Sequence, residues 1–257
     1  MGGKIEIGVC CSPKDAARLP PEACDFIEVN AREFLVPEKG EDEFKANLEA
    51  GRRAAKPIRS VNSFLPGDLK CVGPDADEER LVRYAETAFR RAGQAGVEII
   101  VFGAGVARRA PEGYPREQAM EDVVKVLRRI GPMANRHGVT IVVEPLNREE
   151  CNVINSLAEG AKAVEGCAQP NVWLLADYYH MLKDGEPATE IVRYGHLIRH
   201  THVSELAGRG FPGKSREDFG PFFRALQEAD YAGRVALECG WGDIATEVDR
   251  SVRYLRE

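Results

Sequence analysis

The sequence predicts an α/β protein of the (β/α)8 TIM-barrel class, read as a single domain over residues 1–257. Three observations carry that prediction. Eight short apolar runs, several rich in β-branched residues, alternate with helix-like stretches, which is the signature of a parallel sheet. A length of 257 residues suits eight such units. No Ser/Gly linker or low-complexity stretch divides the chain. A doubly wound open sheet is the alternative, but Gly8-Val9-Cys10 leads into no G-x-G-x-x-G turn.

The strand candidates, in order, are Ile5–Cys10, Phe26–Val29, Ile58–Val61, Glu98–Phe102, Thr140–Val143, Val172–Ala176, Ile198–Thr201 and Arg234–Leu237. Several are bounded by Gly, Pro or polar residues. Among the helices, Asp77–Gly93 opens on an Asp cap with Glu78 and Glu79 in its first turn. Arg116–His137 has apolar residues at helical spacing and stops before Gly138, a terminating glycine. Ser156–Val164 takes Asn155 as its N-cap. Pro221–Ala229 starts on a proline, tolerated in a first turn. Asp243–Leu255 closes the chain. The first helix is crowded by Pro13, Pro20 and Pro21, and the one after Asp184 is short on signal.

Composition narrows the function. A hydrophobic fraction of 44% excludes disorder, and a net charge of −6 argues against a chain that wraps nucleic acid. Seven cysteines, an odd number with no C-x-x-C pair, disfavour a disulfide framework or a zinc knuckle. Met1-Gly2-Gly3-Lys4 runs into an apolar strand with no signal-peptide core, and no 18-residue apolar run follows. Glu6 stands where acylation at Gly2 wants Ser or Thr. The expectation is a reduced, cytoplasmic protein with no membrane and no nucleic-acid partner.

Barrel enzymes place their reactive groups at the C-terminal ends of the strands. Glu144, Asp177, His202 and Glu238 each fall at or just past such an end, spaced 33, 25 and 36 residues apart. One βα unit separates each from the next, so four neighbouring strands aim four metal-preferring side chains at one point. Three carboxylates and an imidazole suit Mn²⁺, Mg²⁺ or Co²⁺, and Zn²⁺ less diagnostically. Bare carboxylates this close repel one another, and a divalent cation removes the conflict.

The segments Glu144-Pro145-Leu146-Asn147-Arg148, Asp177-Tyr178-Tyr179-His180, His200-Thr201-His202-Val203-Ser204-Glu205 and Glu238 resemble the xylose isomerase-like sugar isomerase/epimerase superfamily. The closest likeness is to ketose 3-epimerases of the tagatose/psicose type and to hydroxypyruvate isomerases. Ser63-Phe64-Leu65-Pro66-Gly67 and Val101-Phe102-Gly103-Ala104-Gly105 fit the same pattern. The resemblance implies Glu144, Asp177, His202 and Glu238 as ligands of one divalent ion, Mn²⁺ first. It implies an open-chain ketose, ketose phosphate or small hydroxy-keto acid as substrate. Glu144 and Glu238 would then be the catalytic pair, moving a proton on and off the carbon beside a carbonyl through a metal-bound enediolate. It also implies a homo-oligomer, dimer or tetramer.

Three further residues are expected to meet the substrate. His180, three residues after Asp177, can hydrogen-bond a substrate oxygen; Glu150 sits at an offset where the epimerase-like pattern has an acid; Arg209 matches a Gly-Arg segment of the hydroxypyruvate isomerase-like pattern. His200 shares a strand face with His202 and is expected one layer deeper. Glu28 and Asn62 are either pocket-lining or structural hydrogen-bond partners. Trp241 is either a sugar-facing wall or packing. Cys239 is expected to be inert.

Gly208-Arg209-Gly210-Phe211-Pro212-Gly213-Lys214-Ser215 matches the phosphate-loop pattern G-x-x-x-x-G-K-[ST]. No strand precedes it, and Gly220-Pro221 breaks any helix after it, so nucleotide binding is not expected. Three rival functions share or resemble this barrel: an inosose dehydratase-like lyase, an abasic-site endonuclease-like hydrolase and a non-catalytic sugar-binding barrel. The endonuclease type implies a zinc cluster fed by early histidines, and this chain has none before His137.

Overall fold

The computed structural model describes residues 5–257. The Met1–Lys4 segment, read above for signal and acylation features, lies outside the described residues. Eight parallel strands close into a barrel in chain order. They are β1 (Glu6–Cys10), β2 (Phe26–Asn30), β3 (Ile58–Asn62), β4 (Ile99–Phe102), β5 (Thr140–Val143), β6 (Val172–Asp177), β7 (Ile198–Val203) and β8 (Arg234–Leu237). The helices are α1 (Pro13–Ala16), α2 (Ala31–Phe34), α3 (Glu41–Arg52), α4 (Glu78–Ala95), α5 (Gly105–Arg108), α6 (Arg116–Arg136), α7 (Leu157–Cys167), α8 (Tyr178–Lys183), α9 (Thr189–Tyr194), α10 (Gly220–Glu228) and α11 (Ile244–Arg256). No helix among the described residues is long and apolar enough to cross a membrane.

Strands β2, β3, β6 and β7 run one or two residues further than the sequence suggests. All of the extra residues but Val203 are polar (Asn30, Asn62, Asp177 and His202), and apolar patterning does not see them. The crowded first helix is a single turn. One N-cap expectation is overturned: Ser156, not Asn155, caps α7, its Oγ accepting the Glu159 N–H at 3.2 Å. The Asn155 amide is committed elsewhere, donating to the carbonyls of Leu146 and Cys151 at 2.6 and 2.9 Å. Holding that loop closed takes both of its donor hydrogens.

The main core lies between the barrel wall and the helices, with a small separate cluster of Ile99, Val101, Val142 and Leu175. Alternation along a strand sends residues i and i+2 to the same face. From β4 to β6 this puts Val101 under Gly103, Val142 under Glu144 and Leu175 under Asp177. Strands β7, β3 and β8 stack His200 under His202, Ser60 under Asn62 and Ala236 under Glu238. Gly8 is required by this stacking, since a Cβ there would come within 2.3 Å of the Phe26 ring. Arg234 lies over that ring and pairs with Glu6 and Glu98, each at 2.8 Å, at the opposite end from the acidic layer.

Candidate active site

Ligand-capable atoms of Glu144, Asp177, His202 and Glu238 all lie within 4.8 Å of one another. Each arrives from a separate strand end, and the register that pairs Asp177 with His202 and Val203 with Leu237 sets them level. Nδ1 of His202 faces Glu144 Oε1 at 3.2 Å, Glu238 Oε2 at 3.5 Å and Asp177 Oδ2 at 3.8 Å. Bonds of about 2.0–2.2 Å place opposite donors around one ion roughly 4–4.5 Å apart, so the set fits a single divalent cation.

Each acid is held by its neighbours, through its backbone or its carboxylate. Arg108, buried in α5, donates to the carbonyls of Phe102 at 3.1 Å and Glu144 at 2.9 Å. Gly103 leaves room for the Glu144 carboxylate, where a Cβ would sit 2.1 Å from Oε2. Asp177 Oδ1 accepts the Tyr179 and His180 amides and so caps α8. Asn62 donates to Glu238 Oε1 at 2.8 Å.

Glu28, fully buried, sits behind the histidines. Its Oε2 meets His200 Nε2 at 2.8 Å and Ser60 Oγ at 2.6 Å, and its Oε1 lies 2.9 Å from His202 Nε2. The last contact is off the N–H axis, so that nitrogen lacks a well-aligned hydrogen bond. Cys10 Sγ also reaches Glu28 Oε1, at 3.1 Å. Cys10, Glu28 and His202 therefore resemble a second ligand group, but separations of 2.9 and 3.1 Å are hydrogen-bond contacts, tighter than the spacing around zinc.

These charges shift one another. Burial pushes the Glu144 carboxyl up, against the His202 hydrogen bond. Burial also opposes ionisation of Glu238, but His202 and then Arg209 outweigh it and hold Glu238 down to about 2. Burial acts the same way on Glu28, yet His202 and His200 hold it well below the usual range. His202 is raised despite its burial, because Glu28 and Glu238 flank it.

The other expected residues gather at the same mouth. Glu144, Glu238, His180, Glu150 and Arg209 line one cavity of about 300 Å³, with Ser63 on its wall. His180 Nδ1 is held by the Asn147 backbone and side-chain nitrogens at 3.2 and 2.7 Å. The same Asn147 amide donates to Glu150 Oε1 at 3.0 Å, so Glu150 reaches the histidine through Asn147. Arg209 pairs with Glu238 Oε2 at 2.5 Å, lies 3.8 Å from Asp177 Oδ2 and stacks over Tyr179 at 4.7 Å.

His200 lies one layer below His202, as its strand alternation requires. Trp241 packs flat on Phe211 and donates its indole N–H to the Cys10 carbonyl, a packing role. Burial pushes the Cys239 thiol up, in keeping with an inert thiol. Arg108 escaped assignment from sequence, and Asn147 and Gly103 stood out only as members of the quoted segments. Glu28, open between pocket lining and structural hydrogen bonding, takes the second role against the two histidines.

A sequence model of one family, the xylose isomerase-like TIM barrel, matches residues 16–257. The chain belongs to that family. A D-psicose 3-epimerase of Agrobacterium fabrum is 30% identical to this xylose isomerase-like chain over 222 residues, 83% of this chain and 74% of that protein. An L-ribulose 3-epimerase of Methylomonas sp. is 31% identical over 138 residues, 52% of this chain and 48% of the relative, so that match spans about half of the relative's length. Among solved structures, a D-psicose 3-epimerase from Clostridium cellulolyticum H10, described with D-tagatose, superposes with a TM-score of 0.78 at 19% identity, covering 98% of this chain and 91% of that one. That likeness shows the shared barrel.

Proposed function

We propose that this protein is a divalent-metal-dependent epimerase or isomerase acting on an open-chain ketose, ketose phosphate or small hydroxy-keto acid. The observation that carries the reading is the meeting of Glu144 and Glu238 with His202 and Asp177 at one end of the barrel. The names of the relatives, ketose 3-epimerases, support the substrate class.

A cation held by Glu144, Asp177, His202 and Glu238, Mn²⁺ before Mg²⁺, Co²⁺ or Zn²⁺, supplies Lewis-acid polarisation of the substrate carbonyl. The chain does the rest. One of Glu144 and Glu238 takes the proton from the carbon beside that carbonyl, leaving an enediolate. The other, protonated beforehand, returns a proton to the opposite face. Two bases on two faces favour epimerisation over transfer between neighbouring carbons.

His180, with Nδ1 held by Asn147, is left to donate Nε2–H to a substrate oxygen. Arg209, at the cavity wall, supplies a guanidinium to substrate oxygens, and Glu150 sets both Asn147 and Arg209.

The test is a panel of ketoses, ketose phosphates and hydroxypyruvate incubated with Mn²⁺ in deuterated water. Incorporation beside the carbonyl of at least one ketose is expected, together with close to one divalent ion per chain in protein purified without chelator. No incorporation into any member of the panel sinks the proposal.

A further inference from the structure

The phosphate-loop-like segment has an occupant, and it belongs to the protein. Glu205, fully buried just past β7, places its carboxylate inside the turn formed by residues 208–215. Oε1 accepts the Gly213 amide at 2.9 Å; Oε2 accepts the Ser215 amide at 2.7 Å and the Ser215 hydroxyl at 2.5 Å. No Lys, Arg or His lies within ion-pair distance of Glu205 among the described residues. Three N–H and O–H donors alone carry this buried charge, as the amides of a nest carry an anion.

The other half of the turn is tied to the same residue. The Glu205 amide donates to the Gly210 carbonyl at 2.8 Å, closing a small antiparallel bridge. Inside the stretch from Glu205 to Gly210 that this bridge closes, the chain turns through positive φ at Gly208 (64°) and Arg209 (50°). A non-glycine residue in that region is strained and needs its surroundings to hold it. The Arg209 carbonyl is held in turn by the Gly240 amide at 2.8 Å. This backbone geometry sends the Arg209 guanidinium to Glu238 and over Tyr179.

We infer that Glu205 is a positioning residue for Arg209: its carboxylate serves as an internal anion that folds the 208–215 turn and fixes the arginine in the active-site cavity. The inference rests on the proposed function only for Arg209 meeting substrate; the clamp itself stands on geometry.

A double-mutant cycle with hydrogen exchange tests it. Glu205→Gln turns an amide NH2 toward donors and is expected to lower kcat/KM about 10- to 100-fold, the scale of a displaced substrate contact. In an Arg209→Ala background the same change is expected to cost less than about twofold, because the residue it positions is gone. An undiminished loss in that background, or no loss in the native one, overturns the inference. Amide exchange at Gly213, Ser215 and Gly240 is expected to quicken in Glu205→Gln while the barrel strands keep their protection; unchanged exchange at Gly240 also overturns it. If Glu205→Gln fails to fold, Ser215→Ala removes one donor without stranding the charge, and the same two readouts apply. An inactive wild type sinks the proposed function, whereas the exchange measurement still decides the clamp.

Discussion

Oε1 of Glu28 lies 2.9 Å from Nε2 of His202, on the opposite side of the ring from the nitrogen that faces Glu144. A carboxylate behind a ligand histidine fixes the ring and raises its basicity. Glu28→Gln is therefore expected to weaken Mn²⁺ binding about 10- to 100-fold, read by calorimetric titration. Affinity equal to wild type would show that Glu28 acts only in packing.

Gly103 and Glu144 make a steric prediction. A methyl at residue 103 would meet Glu144 Oε2 at 2.1 Å, so the carboxylate must move. Gly103→Ala is expected to reduce turnover about 100-fold, the cost of misplacing a reacting group by roughly 1 Å. Its melting temperature should shift by no more than about 2–4 °C, the effect of about 1 kcal/mol in a chain of this size. Full activity would mean that Glu144 works from another rotamer.

The two-base scheme separates from a one-base scheme by replacing each acid in turn. Glu144→Gln and Glu238→Gln are each expected to abolish epimerisation of a ketose substrate. Both are also proposed ligands of the cation, so metal content must be measured beside activity. A variant that keeps its ion and still epimerises at the wild-type rate removes that residue from the scheme.

Glu186 gives a pH dependence away from the ion cluster. Burial pushes its carboxyl up to about 7, with Glu190, Glu159 and Asp184 adding like charge and the Leu157 amide opposing. Between pH of about 4.5 and 7 the native state holds this proton while the unfolded chain has lost it. Stability therefore falls as pH rises through that window, by about 1–2 kcal/mol once partial exposure is discounted. Glu186→Gln keeps an acceptor for Leu157 and is expected to flatten the decline, gaining about 3–6 °C over wild type at pH 8. Parallel melting curves for the two proteins would refute the shift.

Strand alternation and spacing made the barrel legible, because hydrophobic burial on both faces of a parallel sheet writes itself locally into short apolar runs. The same spacing pointed to Glu144, Asp177, His202 and Glu238, since one βα unit returns the chain to the same barrel end. His180 was suggested by its offset from Asp177, and Glu150 and Arg209 by the family resemblance; all three line the cavity beside those anchors. The N-cap of α7 was misread because Asn155 and Ser156 both suit a cap, and only the loop's carbonyls decide which is free to take it.

The sequence by itself determined the fold class and the four side chains that gather at one barrel end. Only the tertiary structure decided what stands behind them. Glu28 meets His202 across 174 residues of chain, and Arg108 meets the Glu144 carbonyl across 36. The phosphate-loop pattern closes on Glu205, a residue just outside it. Such contacts depend on shape and on which donors remain unpaired after folding, and neither is written in the local order of residues.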